Sequence, residues 1–378
     1  MKKVMALLLA GSMTAALTAC GGNSGAGGTT ETTQAAAAAT TEAAKEESKE
    51  TSAAETAASG ENYVFKFALQ NGENHPLCQG VAKFGEILEE KSDDRMKLEL
   101  YYGGALGDKA TTVQGLQSGT IDGGMLMSGV IADYGCEELG VFTLPYLFDS
   151  VAHARAFEKN DAGKALLDKV QSSGTSVVCV GAYQESARNY FFTKKKVEHP
   201  SDMKNMQIRC QEGSVYYDAV EAMGAYAQSV AFSELYSALQ SGVVDGAEQP
   251  LSGFVNNAFQ EVAKYYVMDQ HEISPNLILF SEATWNQLSQ EDRDLIEESF
   301  QESVPYFEEL SDSKDAEYLK TIEDAGTEIV QVDVSEWQDA CSSVYDKYGE
   351  KYADIIVDED GFRMEETVEN VFRALDDY

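Results

Sequence analysis

From Tyr63 onward the hydrophobic pattern of this chain keeps switching between two periods, and that alternation is the tightest constraint on its fold. "YVFKFALQ" (63–70) alternates every second residue, as a strand does, and "PLCQGVAKFGEILEEKS" (76–92) has the spacing of a helix face. "MKLELYYGG" reads as a strand, "DKATTVQGLQSG" as a helix closed by Gly119, and "TIDGGMLM" as a short strand. "VAHARAFEKNDAGKALLDKVQSSG" (151–174) reads as helical to Gly174, and "TSVVCVGAYQ" as an apolar strand. Such a series predicts an α/β fold with mainly parallel sheets, whose ligands gather at the carboxyl ends of the strands. After Ser281 a long helical run follows, with Ser281 and Ser289 as expected N-caps and Thr284 and Asp292 three residues on. "TEIVQVDV" is then a strand, and the remainder is helical.

The residues before Tyr63 cannot join this core. Lys2 and Lys3 precede "VMALLLAGSMTAALTA", an apolar stretch too short and too rich in small residues for a membrane span, so residues 1–19 read as an export signal. The stretch ends in "LTAC", which resembles the bacterial lipobox, and that resemblance makes Cys20 the lipidated residue and new N-terminus. Residues 20–60 are Gly, Ser, Thr, Ala and Glu in the main, a composition that reads as a disordered tether with a reach of roughly 35 Å.

Charge narrows the partners. The chain carries 64 acidic and 28 basic residues, a formal charge of −36, which becomes −38 once Lys2 and Lys3 leave with the signal. A body this acidic is repelled by nucleic acid and by anionic membrane surfaces, so any anion site must rest on locally placed cations. Six cysteines occur, and setting Cys20 aside leaves Cys78, Cys136, Cys179, Cys210 and Cys341. Five is odd and no C-x-x-C spacing is present, so no disulfide framework is implied. Cys179 and Cys210 read as small buried hydrophobes. His75, His153, His199 and His271 lack metal-ligand spacing and read as surface or loop residues. No G-x-S-x-G, Walker A or G-x-G-x-x-G motif is present, no catalytic set emerges, and no cofactor is implied.

One short strand stands out. In "MKNMQIRCQEGS" (203–214), Met206, Ile208 and Cys210 alternate with Gln207 and Arg209, and helical sequence follows within a few residues. On these residues alone, an arginine at the downstream end of a strand that enters a helix reads either as a surface charge or as a group delivered to a site.

Taken together, "ELYYGGALGDKATTVQGLQSGTIDGG", "VFTLPYLF", "PSDMKNMQIR" and "AFSELYSALQSGVVDGAEQPL" resemble, in order, the motifs of the extracytoplasmic solute-binding proteins of TRAP transporters, of the dicarboxylate-binding DctP type. The resemblance implies two α/β lobes in a periplasmic-binding-protein-like fold, with an interlobe cleft and a long helix spanning both. Lobe 1 would comprise residues 61–185 plus 275–312, and lobe 2 residues 186–274 plus 313–378. It implies a small organic acid as ligand, TRAP membrane subunits as partners, and an extracytoplasmic, membrane-anchored location. The family arginine that pairs with the ligand carboxylate matches Arg209, whose rigid donor fork suits a carboxylate. "YQESARNYFFTKKK" places Arg188 as a second cation, Gln249 of "AEQPL" as a polar contact, and Phe232 of "AFSELY" as an apolar wall. Gln70 and Ser128 would face the cleft from the other lobe.

The chain also departs from the family pattern. It has Arg209-Cys210-Gln211 where "R-V-P" is common, Gln228 in place of a proline, and Asn205 in place of a glycine. Ser128 stands where sialic-acid binders carry an acid, which argues against that ligand. Two other classes stay open: a binding lipoprotein serving an ABC importer or a sensor, and a lipoprotein enzyme, which would need a nucleophile or metal set that the sequence does not display.

Overall fold

The computed structural model describes residues 61–352. Cys20, the signal, the tether and the C-terminal 26 residues lie outside them. Among the described residues no helix is long and apolar enough to cross a membrane.

Eleven strands form two sheets among these residues. β1 (Tyr63–Ala68), β2 (Met96–Tyr101), β3 (Gly123–Met127), β4 (Val177–Tyr183) and β10 (Asn276–Ser281) make a five-stranded sheet in the order β2-β1-β3-β10-β4. β5 (Asn189–Phe192), β6 (Gln207–Arg209), β7 (Tyr226–Gln228), β8 (Gly246–Gln249), β9 (Tyr265–Met268) and β11 (Glu328–Gln331) make a six-stranded one in the order β11-β9-β5-β8-β6-β7.

The sheets are mixed, not mainly parallel. β10 runs antiparallel to β3 and β4, and β5 antiparallel to β8 and β9. The connectivity explains why. β4 leaves the first sheet at its carboxyl edge and continues as β5 in the second; β9 leaves the second and returns as β10. A strand arriving from the facing sheet enters where its new neighbours end, so it must run against them. The two crossings pair with each other through a bridge between Arg188 and Glu272, whose Arg188 N–H donates to the Glu272 carbonyl at 2.8 Å.

The helix Gln290–Asp324 ties the two sheets together. Its Phe300 and Phe307 pack against Phe84 and Tyr183 over the first sheet. Farther along, Tyr318 and Ile322 join Phe191, Phe254 and Phe259 over the second. A 35-residue helix is about 50 Å long at 1.5 Å per residue, enough to reach both. Ser289 caps it, accepting from the Asp292 N–H at 3.1 Å, but the Asp292 carboxylate turns instead to Arg95 at 2.9 Å and to the Ser289 hydroxyl at 2.8 Å. Ser281 is no cap: its hydroxyl makes no bond to the one-turn helix Glu282–Trp285.

The run 151–174 is not one helix. It divides into Val151–Lys159, Asp161–Leu167 and Lys169–Ser172. Asn160 takes an extended ψ of 170° and its side chain accepts from the Gly163 N–H at 2.8 Å, ending one helix and capping the next. Short polar side chains compete with the helical backbone in just this way. Gly119 does close its helix, in the left-handed region at φ 72°.

Candidate functional site

A cavity with an empty volume of about 640 Å³, counting the part open to solvent, lies where the strands of both sheets end. Its wall takes Gln70, Lys109 and Met127 from the first-sheet side and Arg188, Arg209, Gln211, Phe232 and Gln249 from the second. Five of the six ligand-binding residues expected from the sequence therefore meet in one place. Ser128 does not line this cavity; it is buried at the start of the helix Ser128–Asp133, and its hydroxyl finds no hydrogen-bond partner.

Arg209 ends β6, directly before Cys210 and Gln211. Its Nε donates to the Val230 carbonyl at 3.2 Å, and its guanidinium carbon stands 5.8 Å from the centre of the Phe232 ring. Its Nη1 is buried, 3.8 Å from Glu248 Oε1, and makes no hydrogen bond. Burial lowers the pKa of this group, with Glu248 acting the other way and Arg188 adding to the fall.

Arg188, on the first crossing, is as deeply buried but is already engaged. Its Nε donates to Glu248 Oε2, its Nη2 to the Glu248 carbonyl at 3.2 Å, and Glu272 Oε2 lies 3.8 Å away. Burial opposes its charge, yet Glu248 and Glu272 outweigh that and raise its pKa. Glu272 itself is raised by burial, against the pull of Arg188, and it also accepts from Tyr216 at 3.2 Å and from Ser274. Arg188, expected as a second cation, thus lines the cavity with its guanidinium engaged in a buried ion pair.

Gln70 spends its amide N–H on the Gly107 carbonyl at 3.2 Å and on Thr112 at 3.0 Å, which holds the side chain against the cavity wall. Gln249 closes β8, and a side chain added at Gly253 would run into its amide.

Sequence reading missed Lys109, Glu248, Glu272 and Asn276. Glu248 had a signal: it sits beside Gln249 in "DGAEQPL", and two buried arginines demand buried acids nearby. Lys109 had none, because its half-buried Nζ meets Gln211 Oε1 at 3.1 Å only through the tertiary fold. Burial, with Arg209 and Arg188 close by, brings its ammonium down to about 8.

The histidines divide. His153 pairs with Asp149 at 2.6 Å, and exposed His199 with Glu336 at 2.7 Å. His75 and His271 lie in loops, as one form of the expectation had it, but they are buried and not at the surface. His75 caps the helix Pro76–Lys91, accepting from the Leu77 N–H at 3.3 Å. His271 pairs with Asp269 at 2.7 Å and stacks on Tyr190. Glu248, His271 and Glu272 offer ligand atoms within 4.8 Å of one another, but the Arg188 guanidinium already serves as the cation of both carboxylates. Cys179 and Cys210 are buried, as expected, and burial pushes each thiol up to about 12.

Residues 67–351 match the family model described as bacterial extracellular solute-binding protein, family 7, also called DctP. The chain belongs to that family. It is 26% identical over 306 residues to the C4-dicarboxylate-binding periplasmic protein DctP of Rhodobacter capsulatus, covering 79% of this chain and 90% of that one. Among solved structures it resembles a TRAP periplasmic solute-binding protein of Pseudomonas putida F1 with bound D-glucuronate, at a TM-score of 0.76 and 28% identity, over 81% of this chain and 96% of that one. Another is a TRAP periplasmic solute-binding protein of Sulfitobacter sp. NAS-14.1 with bound β-D-galacturonate, at a TM-score of 0.74 and 27% identity, over 82% of this chain and all of that one. These family and structural neighbours are solute-binding proteins, not enzymes.

Proposed function

We propose that this DctP-family chain is the extracytoplasmic solute-binding subunit of a TRAP transporter, which captures a small organic acid in the cavity between its sheets and delivers it to membrane subunits. The observation that carries the reading is Arg209, a buried guanidinium with a free N–H in a cavity flanked by two chain crossings. An unsatisfied buried donor on a cation is costly, and a carboxylate relieves both the charge and the missing hydrogen bond. Relatives whose bound ligands are D-glucuronate and β-D-galacturonate, both carboxylates, support the same reading. The two lobes would be residues 61–185 plus 275–312 and residues 186–274 plus 313–378, closing about the crossings when the ligand bridges them. The protein would act by binding alone, without catalysis. Cys20, outside the described residues, would carry the lipid that anchors it to the outer face of the cell membrane.

Isothermal calorimetry against C4-dicarboxylates, 2-oxo acids and sugar acids tests this. The expected result is submillimolar binding of at least one acid, lost in Arg209→Ala. A neutral sugar as best ligand, or an Arg209→Ala protein that binds its acid as tightly as wild type, overturns it.

A further inference from the structure

The cavity lining joins a cationic cluster to a carboxylate outside it. Lys109, Arg188 and Arg209 stand with Glu248 and Glu272, and these four neighbours act most strongly on the Lys109 ammonium. Three cations against two carboxylates leave a single positive charge. Both carboxylates stand beside Arg188, and Glu248 also faces Arg209 at 3.8 Å. Among the described residues Lys109 has no ion-pair partner, and its one side-chain bond, to Gln211, leaves two N–H groups over. Three more N–H groups on residues that line the cavity are buried without a partner: Arg209 Nη1, Gln211 Nε2 and Asn276 Nδ2. Each of these side chains belongs to a residue more than nine-tenths buried.

The lining also holds an acid outside that cluster. Glu185, on the first crossing, lines the cavity, and its Oε2 accepts from Ser252 at 2.7 Å while Oε1 is left to accept again. Glu185 acts on His75 and Asp315. His75 offers no compensating charge, since burial lowers its pKa and its Nδ1 is committed to Leu77. Among the described residues no cation lies within ion-pair distance of Glu185.

A lining of this kind discriminates. One anionic group neutralises the surplus charge beside Lys109 and takes up the unpaired donors. A second carboxylate brought against Glu185 would meet a like charge and lose affinity. Hydroxyl groups there would instead donate to Glu185.

We propose that Lys109 and Glu185 are the specificity-determining residues of the site, selecting an acid with one carboxylate and a hydroxylated remainder over dicarboxylates. Lys109 supplies the charge that the carboxylate neutralises. Glu185 accepts from hydroxyls and repels a second carboxylate. This deepens the organic-acid reading and rests on it.

The test is calorimetry of the purified protein with D-glucuronate, D-galacturonate, D-gluconate, succinate, L-malate and D-glucose. Wild type is expected to bind at least one of the hydroxylated monoacids about 100-fold more tightly than either dicarboxylate. Glu185→Gln should narrow that ratio about tenfold or more by strengthening dicarboxylate binding. Lys109→Met should weaken the monoacid about 30-fold with an unchanged melting temperature, and Lys109→Arg, which keeps the charge, should retain the preference. Dicarboxylates binding as tightly as monoacids, or a ratio indifferent to Glu185→Gln, overturn the proposal; if Arg209→Ala still abolishes binding in that case, the organic-acid reading stands. If no acid binds, 2-oxo acids included, or glucose is the best ligand, both fall together.

Discussion

Arg188 and Arg209 share one carboxylate, and they share it unequally. Arg188 Nε donates to one oxygen of Glu248, while Arg209 Nη1 stands 3.8 Å from the other, beyond hydrogen-bond reach. One guanidinium is thereby engaged within the fold, and the other keeps an unpartnered N–H, which we propose a ligand takes.

Substitution should separate those roles. Arg209→Ala is expected to fold normally and to lose ligand affinity by about 2–5 kcal/mol, roughly 30- to several-thousand-fold. Arg209→Lys should recover only part, since an ammonium keeps the charge and loses the planar fork. Arg188→Ala should lower the melting temperature instead, because it strands the buried Glu248 and Glu272; breaking a buried pair costs about 3–5 kcal/mol. Paired melting curves and titrations read both. A normal melting temperature for Arg188→Ala would refute the division.

Affinity should fall at alkaline pH. Burial, with Arg209 and Arg188 adding to it against Glu248 and Glu272, brings the Lys109 ammonium down to about 8, and Gln211 holds its Nζ. A bound carboxylate favours the ammonium and raises that pKa, so binding takes up protons from near pH 8 to the higher bound value. Binding is therefore tightest below pH 8 and weakens as pH rises above it. Titrations in buffers of different ionisation enthalpy measure the uptake, which Lys109→Met should abolish.

Asp315, on the helix that joins the sheets, gives a stability signature of the opposite kind. Burial, with Glu185 and Asp312 adding to it, raises its carboxyl to about 7. The folded state then holds a proton that the unfolded chain gives up near pH 4, so this group weakens the fold increasingly as pH climbs from 4 through 7. Asp315→Asn should raise the melting temperature at pH 8 and change it little at pH 4. Equal effects at the two pH values would exclude this origin.

Gly181 sits at φ 152° where β4 shifts register against β10, and a Cβ there would collide with the Phe300 ring. Gly181→Ala is expected to destabilise by about 2–3 kcal/mol, from overpacking and an unfavourable φ together. Chemical denaturation measures it, with Gly174→Ala, also at positive φ but in open space, as the control for backbone strain alone.

Cys20→Ala should leave export possible and release the protein from membranes. Fractionation of cells expressing both forms checks the anchor: a wild-type protein found mainly in the soluble fraction would sink it.

The sequence by itself determined the α/β class, the strand that carries Arg209, and the cap at Ser289. These are local matters: side-chain period, turn residues and caps act over a few positions, so a linear reading captures them. Asn160 shows where that reading stops, since its residue type allowed both helix interior and cap, and only the bond to Gly163 chose between them. What the tertiary structure alone decided is which charge meets which. Lys109 and Gln211 are 102 positions apart, Arg188 and Glu248 60, and nothing along the chain indicates that the first pair lines the cavity while the second fills its floor with a completed ion pair. In a desolvated site a charge is set by its neighbours within a few ångströms, and those neighbours come from chain crossings and strand ends that only the folded topology brings together.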